Sequence, residues 1–161
     1  MSFHASPLSG SKPEQYAQLL EQARALLHGE RDRIANAANL SALVYHALPQ
    51  LNWAGFYFFD GTELVVGPFQ GLPACVRIPL DKGVCGAAAS TRSTQRVEDV
   101  HAFPGHIACD SASRSELVVP LVKDGALLGV FDLDSPVPAR FDVEDQQGLE
   151  AIARAFVESL G

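Results

Sequence analysis

The stretch ELVVPLVKDGALLGVFDLDS, residues 116–135, decides the predicted fold. Two apolar, β-branched runs flank the turn sequence Lys123-Asp124-Gly125, and this arrangement is typical of a β-hairpin. Because proline lacks the N–H that a central strand needs, Pro120 predicts an edge position or a bulge in the first arm. The pattern therefore places an antiparallel sheet at the centre of the fold.

A second hairpin and three amphipathic helices surround this stretch. Residues 52–71 are aromatic and β-branched on both sides of an Asp-Gly pair, which predicts a hairpin. Apolar residues recur with helical spacing within 11–30, 31–51 and 141–161. Ser11 with Glu14, and Asp142 with Asp145, have the spacing of helix N-caps, and Ile34 belongs to the predicted apolar face of the second helix.

The middle of the chain is less regular. VRIPL and QRVEDV predict short strands, GVCGAAASTRS predicts a short helix, and residues 101–114 predict a loop because they show no period. We expect an α+β fold, in which an antiparallel sheet has the N- and C-terminal helices on one side and loops covering a pocket on the other. Residues 1–10 are predicted to be a flexible segment and residues 11–161 a single domain.

Length and charge narrow the classes of function. The chain has 161 residues, enough for one domain with a full core, and 47% of them are hydrophobic. Its net charge is −7, which argues against nucleic acid or an anionic membrane as a partner. The N-terminal sequence lacks a signal-peptide pattern and no apolar run reaches membrane-spanning length, so we expect a cytoplasmic protein.

Three cysteines, Cys75, Cys85 and Cys109, are the first candidates for chemistry. They are odd in number and form no C-x-x-C pair, so they predict neither a structural disulfide framework nor a zinc ribbon. Cys109 lies among small polar residues, which favours a nucleophile on an exposed loop. A small buried residue is the alternative for each cysteine, and for Cys85 it is as good as a functional role.

The surroundings of Cys109 leave its activation open. Asp110 would raise the pKa of the thiol, and either His106 or a bound substrate would have to offset that charge. A zinc site built from the cysteines with His101 or His106 is a weaker alternative. Hydrolysis by a Cys-His pair is weaker still, because the sequence has no nucleophile elbow.

Three carboxylates form the second constellation. Glu116 begins one predicted strand, and Asp132 and Asp134 lie two apart on another, so the two aspartates point to the same face. Clustered carboxylates repel one another, and at least one should have a raised pKa and act as a proton donor. A pair of exposed charges at the end of a strand is an equally good interpretation.

Aromatic residues on the first predicted strand could form a wall of a pocket. Trp53, Phe56 and Tyr57 are the candidates. Since aromatics at strand spacing are more often part of a core, they carry little weight by themselves.

Four segments together closely resemble the free methionine-(R)-sulfoxide reductases, single-domain enzymes built on the GAF fold. The segments are residues 34–58, 71–89, 97–121 and 129–136. The likeness extends from about Ser11 to Leu160. GAF sensory domains share the sheet and the helices, but they do not combine all three cysteine contexts with the SELVVP and FDLDS segments.

This resemblance implies a reaction and a reductant. The substrate would be free L-methionine-(R)-sulfoxide, with Cys109 as the attacking thiol that becomes a sulfenic acid. Cys75 would be its disulfide partner and Cys85 the alternate resolving thiol. Thioredoxin would be the external reductant, with no bound cofactor and no metal.

The resemblance also implies how the substrate is held. Glu116 would bond or protonate the sulfoxide oxygen, Asp132 and Asp134 would anchor the ammonium, and Trp53 and Tyr57 would pack around the methyl and methylene groups. Backbone amides of the predicted loop would bind the carboxylate, and the terminal helices would form a homodimer. A GAF module that binds a ligand or senses redox state is the alternative from another functional class.

Overall fold

The computed structural model describes residues 3–161, and its centre is one six-stranded antiparallel sheet in the order β3-β2-β1-β6-β5-β4. Both predicted hairpins, β1–β2 and β5–β6, are present, and β1 pairs with β6 to join them. The strands are β1 (Trp53–Phe59), β2 (Leu64–Gly71), β3 (Arg77–Ile78), β4 (Gln95–Val97), β5 (Ser115–Lys123) and β6 (Ala126–Ser135).

Four α-helices complete the fold, and the predicted caps are confirmed. The Ser11 side chain accepts a bond from the backbone N–H of Glu14, and Asp142 does the same for Asp145. Ile34 is 54% exposed, so its predicted place on the buried face is wrong. No helix within residues 3–161 is both long and apolar enough to cross a membrane. The helices are α1 (Lys12–Leu27), α2 (Arg33–Ala47), α3 (Gly83–Thr91) and α4 (Val143–Ser159).

Alternation along the strands divides the sheet into two faces. One face packs against α1, α2 and α4 and forms the larger core, as the predicted fold class requires. The other face carries a smaller core with α3, and we call it the pocket face. The strand residues of the helix-side face are Ala54, Phe56, Phe58, Leu117, Val119, Leu121, Phe131 and Leu133.

Pro120 satisfies both expectations for a proline in a strand. Strand β4 pairs with β5 only through Glu116, Leu117 and Val118, so Pro120 lies on a part of β5 that β4 does not cover. The register with β6 then shifts between Leu121 and Val122, which is a bulge-like irregularity. On the β4 side, the missing N–H of Pro120 therefore leaves no ladder bond unmade.

The N-terminal segment contains no helix or strand over residues 3–9. The backbone N–H of Ser6 donates to Gln22 and that of Ser9 donates to Gln18, both on α1. Residues 1 and 2 of the predicted flexible segment lie outside the described residues, and the flexibility of residues 1–10 stays a prediction.

Candidate active site

A small, partly open cavity lies on the pocket face, between the sheet, α3 and the loop that spans residues 101–114. Its volume is about 40 Å³. Seven of the eight residues that the sequence proposes for the site line it, and Cys75 is the exception within the described chain. The seven are Trp53, Tyr57, Cys85, Cys109, Glu116, Asp132 and Asp134.

Strand register brings the three carboxylates together. Glu116 on β5 lies directly opposite Asp134 on β6, and Asp132 follows two residues away on the same face. Glu116 is 8% exposed and Asp132 is 4% exposed, while Asp134 is half-buried. The interpretation as exposed charges at a strand end is therefore wrong.

Burial and mutual repulsion set the charge of this cluster. Burial is the main cause that raises the pKa of Glu116, and the charge of Asp132 adds to it. The pKa of Asp132 is raised by burial and then by Asp134, and that of Asp134 by burial and then by Glu116. Burial and repulsion therefore both favour the protonated form of these carboxyl groups, which makes them candidates for a proton donor.

Several polar atoms of the site are buried without a hydrogen-bond partner in the described part of the chain. They are Oδ1 of Asp132, Oδ1 of Asp134, Nε1 of Trp53 and Oδ1 of Asn52. Each unpaired buried group costs about 1–3 kcal/mol, so proteins rarely keep four of them together without a ligand. The set offers acceptors to a cation and one N–H to an oxygen.

Aromatic rings form one wall of the cavity. Trp53 stacks on Tyr57 with ring centroids 5.6 Å apart, and on Phe69 at 5.1 Å. Phe56 is not part of this wall, because strand alternation turns it to the helix-side core, where it stacks on Phe131 at 4.6 Å. Two of the three aromatic candidates are thus placed at the cavity.

The structure contains a Cys75–Cys109 disulfide, the pairing that the resemblance favours. The two Cα atoms are 5.3 Å apart, and the bond ties the segment between β2 and β3 to the 101–114 loop. The Tyr57 hydroxyl donates to the backbone carbonyl of Cys75 at 3.2 Å, so the aromatic wall also positions this cysteine.

Cys85 keeps a free thiol in the first turn of α3. It is buried, and its Sγ lies 3.9 Å from Oε2 of Glu116. Burial raises the pKa of the thiol, and the charge of Asp132 raises it further. Cys85 is therefore a buried small residue, as one interpretation expects. It also lines the cavity, and its functional role stays a prediction.

Asn52 was not predicted from the sequence, although it holds the loop over the cavity. Its Nδ2 donates to Oδ2 of Asp110 at 3.0 Å and to Oγ of Ser113 at 3.1 Å. The other oxygen of Asp110 accepts the backbone N–H of Ala112 at 2.9 Å. A single asparagine before a strand carries no periodic signal, so its contact with a loop about sixty residues away is visible only in the tertiary structure.

His106 does not supply the positive charge that the sequence analysis considered for it. Burial lowers the pKa of His106, and the neighbouring His101 lowers it further. The imidazole is therefore mainly neutral at pH 7 and does not offset the charge of Asp110, so that expectation is wrong. Of the two sources of positive charge that the sequence analysis considered for the thiol of Cys109, the bound substrate is the one that remains.

The structure also bears on the zinc alternative. Within residues 3–161, the side chains whose donor atoms lie close enough to share an ion are Cys85, Glu116 and Asp132, all within 4.8 Å. This group includes neither His101 nor His106. Two of the three thiols are used by the disulfide, so the zinc site considered from the sequence is not formed.

Fold and site together define a GAF-domain protein, and the GAF domain family model matches residues 14–160. A solved structure described as a GAF sensor protein, from Burkholderia vietnamiensis, is 73% identical, covers 92% of this chain and 95% of its own, and superposes with a TM-score of 0.90. A free methionine-R-sulfoxide reductase from Escherichia coli is 53% identical over 142 residues, covering 88% of this chain and 86% of the relative.

A third relative is the free methionine-R-sulfoxide reductase from Neisseria meningitidis, solved in complex with its substrate. It is 41% identical, the match covers 99% of this chain and 96% of that one, and the TM-score is 0.94. Among GAF-domain proteins, the chain therefore belongs to the free methionine-R-sulfoxide reductase family.

Proposed function

We propose that this protein reduces free L-methionine-(R)-sulfoxide to L-methionine, with Cys109 as the nucleophile. One observation carries the proposal: the Cys75–Cys109 disulfide lies beside a buried carboxylate cluster, in which two oxygens have no hydrogen-bond partner and can bind a cation. The relatives named above support the substrate, since two of them are named for this activity.

Substrate binding follows from the chemistry of the unpaired atoms. An ammonium group on Asp132 and Asp134 would pair their Oδ1 atoms and relieve the repulsion between the carboxylates. The stacked rings of Trp53 and Tyr57 would pack on the methyl and methylene groups. Backbone amides of the 101–114 loop would bind the carboxylate. Contacts to both ends of a free amino acid would exclude a methionine inside a polypeptide.

The chemical step uses a thiol and an acid. Cys109 attacks the sulfoxide sulfur while Glu116, whose pKa is raised by burial, donates a proton to the oxygen. The S–O bond of the substrate breaks as its hydroxyl passes to Sγ of Cys109, and the bond between the two sulfurs breaks, so methionine leaves and Cys109 becomes a sulfenic acid. Cys75 then attacks the sulfenic sulfur, water leaves, and the disulfide forms. In sum, one sulfoxide and two thiols yield methionine, one disulfide and water.

The small volume of the cavity fits the last state of this cycle. A single water needs about 10–15 Å³, so a cavity of about 40 Å³ has space for a few waters and not for an amino acid. We therefore expect the 101–114 loop to move away from Asn52 once the disulfide is reduced. Cys85, at the cavity wall, would act as an alternate thiol in that open form.

A reductant must return the disulfide to thiols in each cycle. Thioredoxin is the reductant we propose, and a cytoplasmic location would keep it reduced. We also propose the homodimer through the terminal helices, which sedimentation at several protein concentrations tests.

Replacement of the nucleophile is the decisive experiment. In Cys109→Ser, methionine formation from the free R-sulfoxide with dithiothreitol should be lost, because no sulfenic acid can form. In the matched Cys75→Ser variant, one methionine per chain should still form without reductant. Full activity in Cys109→Ser would contradict the assignment. Absence of any turnover by the wild-type protein would instead favour the redox-sensing module.

A further inference from the structure

We propose that a protein dithiol reductant opens the disulfide by attacking Cys75, and that Leu72 and Val76 form the apolar surface on which it docks. The inference rests on the proposed function, because it concerns the reduction step of the same cycle. It adds to that function which of the two sulfurs is attacked and where the partner binds.

The surface around Cys75 is unusually apolar. Leu72 is 65% exposed and Val76 is 62% exposed, more than any other large hydrophobic side chain within residues 3–161. They stand three residues before and one residue after Cys75, and Pro73 between them is also exposed. Exposed apolar side chains that are grouped within five residues cost free energy in water and are candidates for a site where another molecule binds. We call residues 72–76 the Cys75 loop.

The backbone of the Cys75 loop is held in place. The N–H of Val66 donates to the carbonyl of Val76 at 2.9 Å, and the Tyr57 hydroxyl donates to the carbonyl of Cys75 at 3.2 Å. The loop begins directly after Gly71, the last residue of β2. A surface that is ordered before binding loses little conformational entropy when a partner docks, which favours it as an interface.

The two sulfurs offer an incoming thiolate different surroundings. Cys109 lines the cavity together with Glu116 and Asp132, and the negative charge there would repel a second anion. Cys75 itself does not line this cavity in the described chain, although Pro73 and Ala74 do, and its sequence neighbours Ala74 and Val76 are uncharged. Because both cysteines are half-buried, the charge around each sulfur rather than its exposure distinguishes them, and it favours attack on Cys75.

The exchange balances as follows. The thiolate of the reductant attacks Sγ of Cys75, the Cys75–Cys109 bond breaks, and Cys109 leaves as a thiolate that takes a proton from solvent. The second thiol of the reductant attacks its own sulfur in the mixed disulfide. Cys75 then leaves as a thiol, the reductant becomes a disulfide, and two electrons have passed to the protein. Cys109 is thus released first, on the side of the cavity.

A dithiol protein fits this surface better than a second copy of the chain. The apolar side chains flank the cysteine that must be reached in every cycle. A second copy seated there would cover the disulfide and stop the cycle. A reductant that docks transiently covers the exposed apolar side chains only while the disulfide is being reduced.

Trapping of the mixed disulfide tests which sulfur is attacked. The oxidised protein is mixed with a thioredoxin whose second active-site cysteine is replaced by serine, quenched with acid, and mapped by peptide mass spectrometry. We expect thioredoxin on the peptide that contains Cys75. Thioredoxin mainly on the Cys109 peptide, or no mixed disulfide at all, would overturn the proposal. This readout needs no methionine sulfoxide, so it is independent of the proposed activity.

Substitution of the docking surface tests the second half. In the double variant Leu72→Ser, Val76→Thr, kcat/KM for thioredoxin should fall roughly tenfold, while turnover with dithiothreitol is unchanged. Val143→Thr, at an exposed valine on α4, is the matched control and should behave as wild type. An unchanged kcat/KM for thioredoxin in the double variant would overturn the docking surface. Dissociation of a wild-type dimer into monomers in the double variant would also overturn it, because the surface would then be a contact between two copies of the chain. Loss of dithiothreitol turnover in the wild type would count against the proposed function alone.

Discussion

Two buried aspartates, Asp145 on α4 and Asp132 on β6, have opposite surroundings. Asp145 accepts from the hydroxyl of Tyr16 at 2.6 Å, from Nζ of Lys12 at 2.9 Å and from Nη1 of Arg140 at 3.4 Å. It also completes the capping box at the start of α4. Every contact comes from the protein itself, so Asp145 ties α1 and α4 together.

Asp132 has no basic partner among the described residues. Its Oδ1 is buried with no hydrogen bond from the described residues, and its neighbours Asp134 and Glu116 are acidic. A protein that buries a carboxylate for stability surrounds it with donors, and one that buries it for a ligand leaves acceptors open. The comparison therefore separates the scaffold of this fold from its site.

Removal of the satisfied carboxylate should have the largest effect on stability. In Asp145→Ala, Arg140 and Lys12 lose a buried partner, and the free energy of unfolding should fall by about 3–5 kcal/mol. Urea denaturation followed by circular dichroism measures this. Asp142→Ala, which removes an exposed cap, should cost only about 1 kcal/mol. Equal losses in the two variants would show that burial of Asp145 contributes nothing beyond capping.

Removal of the carboxylate of Asp132, by contrast, should raise the free energy of unfolding. Because the pKa of Asp132 is raised in the folded protein, the folded state binds its proton more tightly than the unfolded chain. The stability that this proton provides is present at low pH and is lost as pH rises from about 4 through the folded pKa.

Asp132→Asn should therefore stabilise the protein by about 1 kcal/mol at pH 7, and by less at pH 4.5. Unfolding curves of both proteins at the two pH values provide the measurement. The same variant should reduce methionine formation, since the amide does not bind an ammonium as a carboxylate does. A stability loss at pH 7 would place Asp132 with Asp145 in the scaffold.

The smallest effect is expected for a substitution of Tyr57, on the pocket face. Tyr57→Phe keeps the ring against Trp53 but loses the bond to the carbonyl of Cys75, which is worth about 1 kcal/mol. Disulfide formation in a single turnover should slow roughly fivefold, while the first methionine forms at its normal rate. Chemical trapping of the sulfenic acid measures this. Tyr45→Phe, on α2, is the control, and equal behaviour of the two variants would remove the positioning role.

Local patterns were enough to predict most of the fold. The caps at Ser11 and Asp142, the hairpin turns and the exceptional position of Pro120 depend on residues a few places apart, so short stretches of sequence carry them. The side chains of Asp132 and Asp134 share a face for the same reason, since strand alternation has a period of two. The wrong prediction of a buried Ile34 shows the limit of local patterns, because a helical period does not show how far the neighbouring elements extend over the helix.

What the sequence alone determined is the class of fold, the candidate chemistry and, through resemblance, the family. Only the tertiary structure decided that Glu116 lies opposite Asp134, that Asn52 holds the loop of Cys109, and that burial lowers the pKa of His106. Strand register, burial and the charge around a group depend on segments that are distant in the chain. Those long-range contacts shift the pKa values and leave carboxylate oxygens without hydrogen-bond partners. They therefore create the candidate active site on the pocket face.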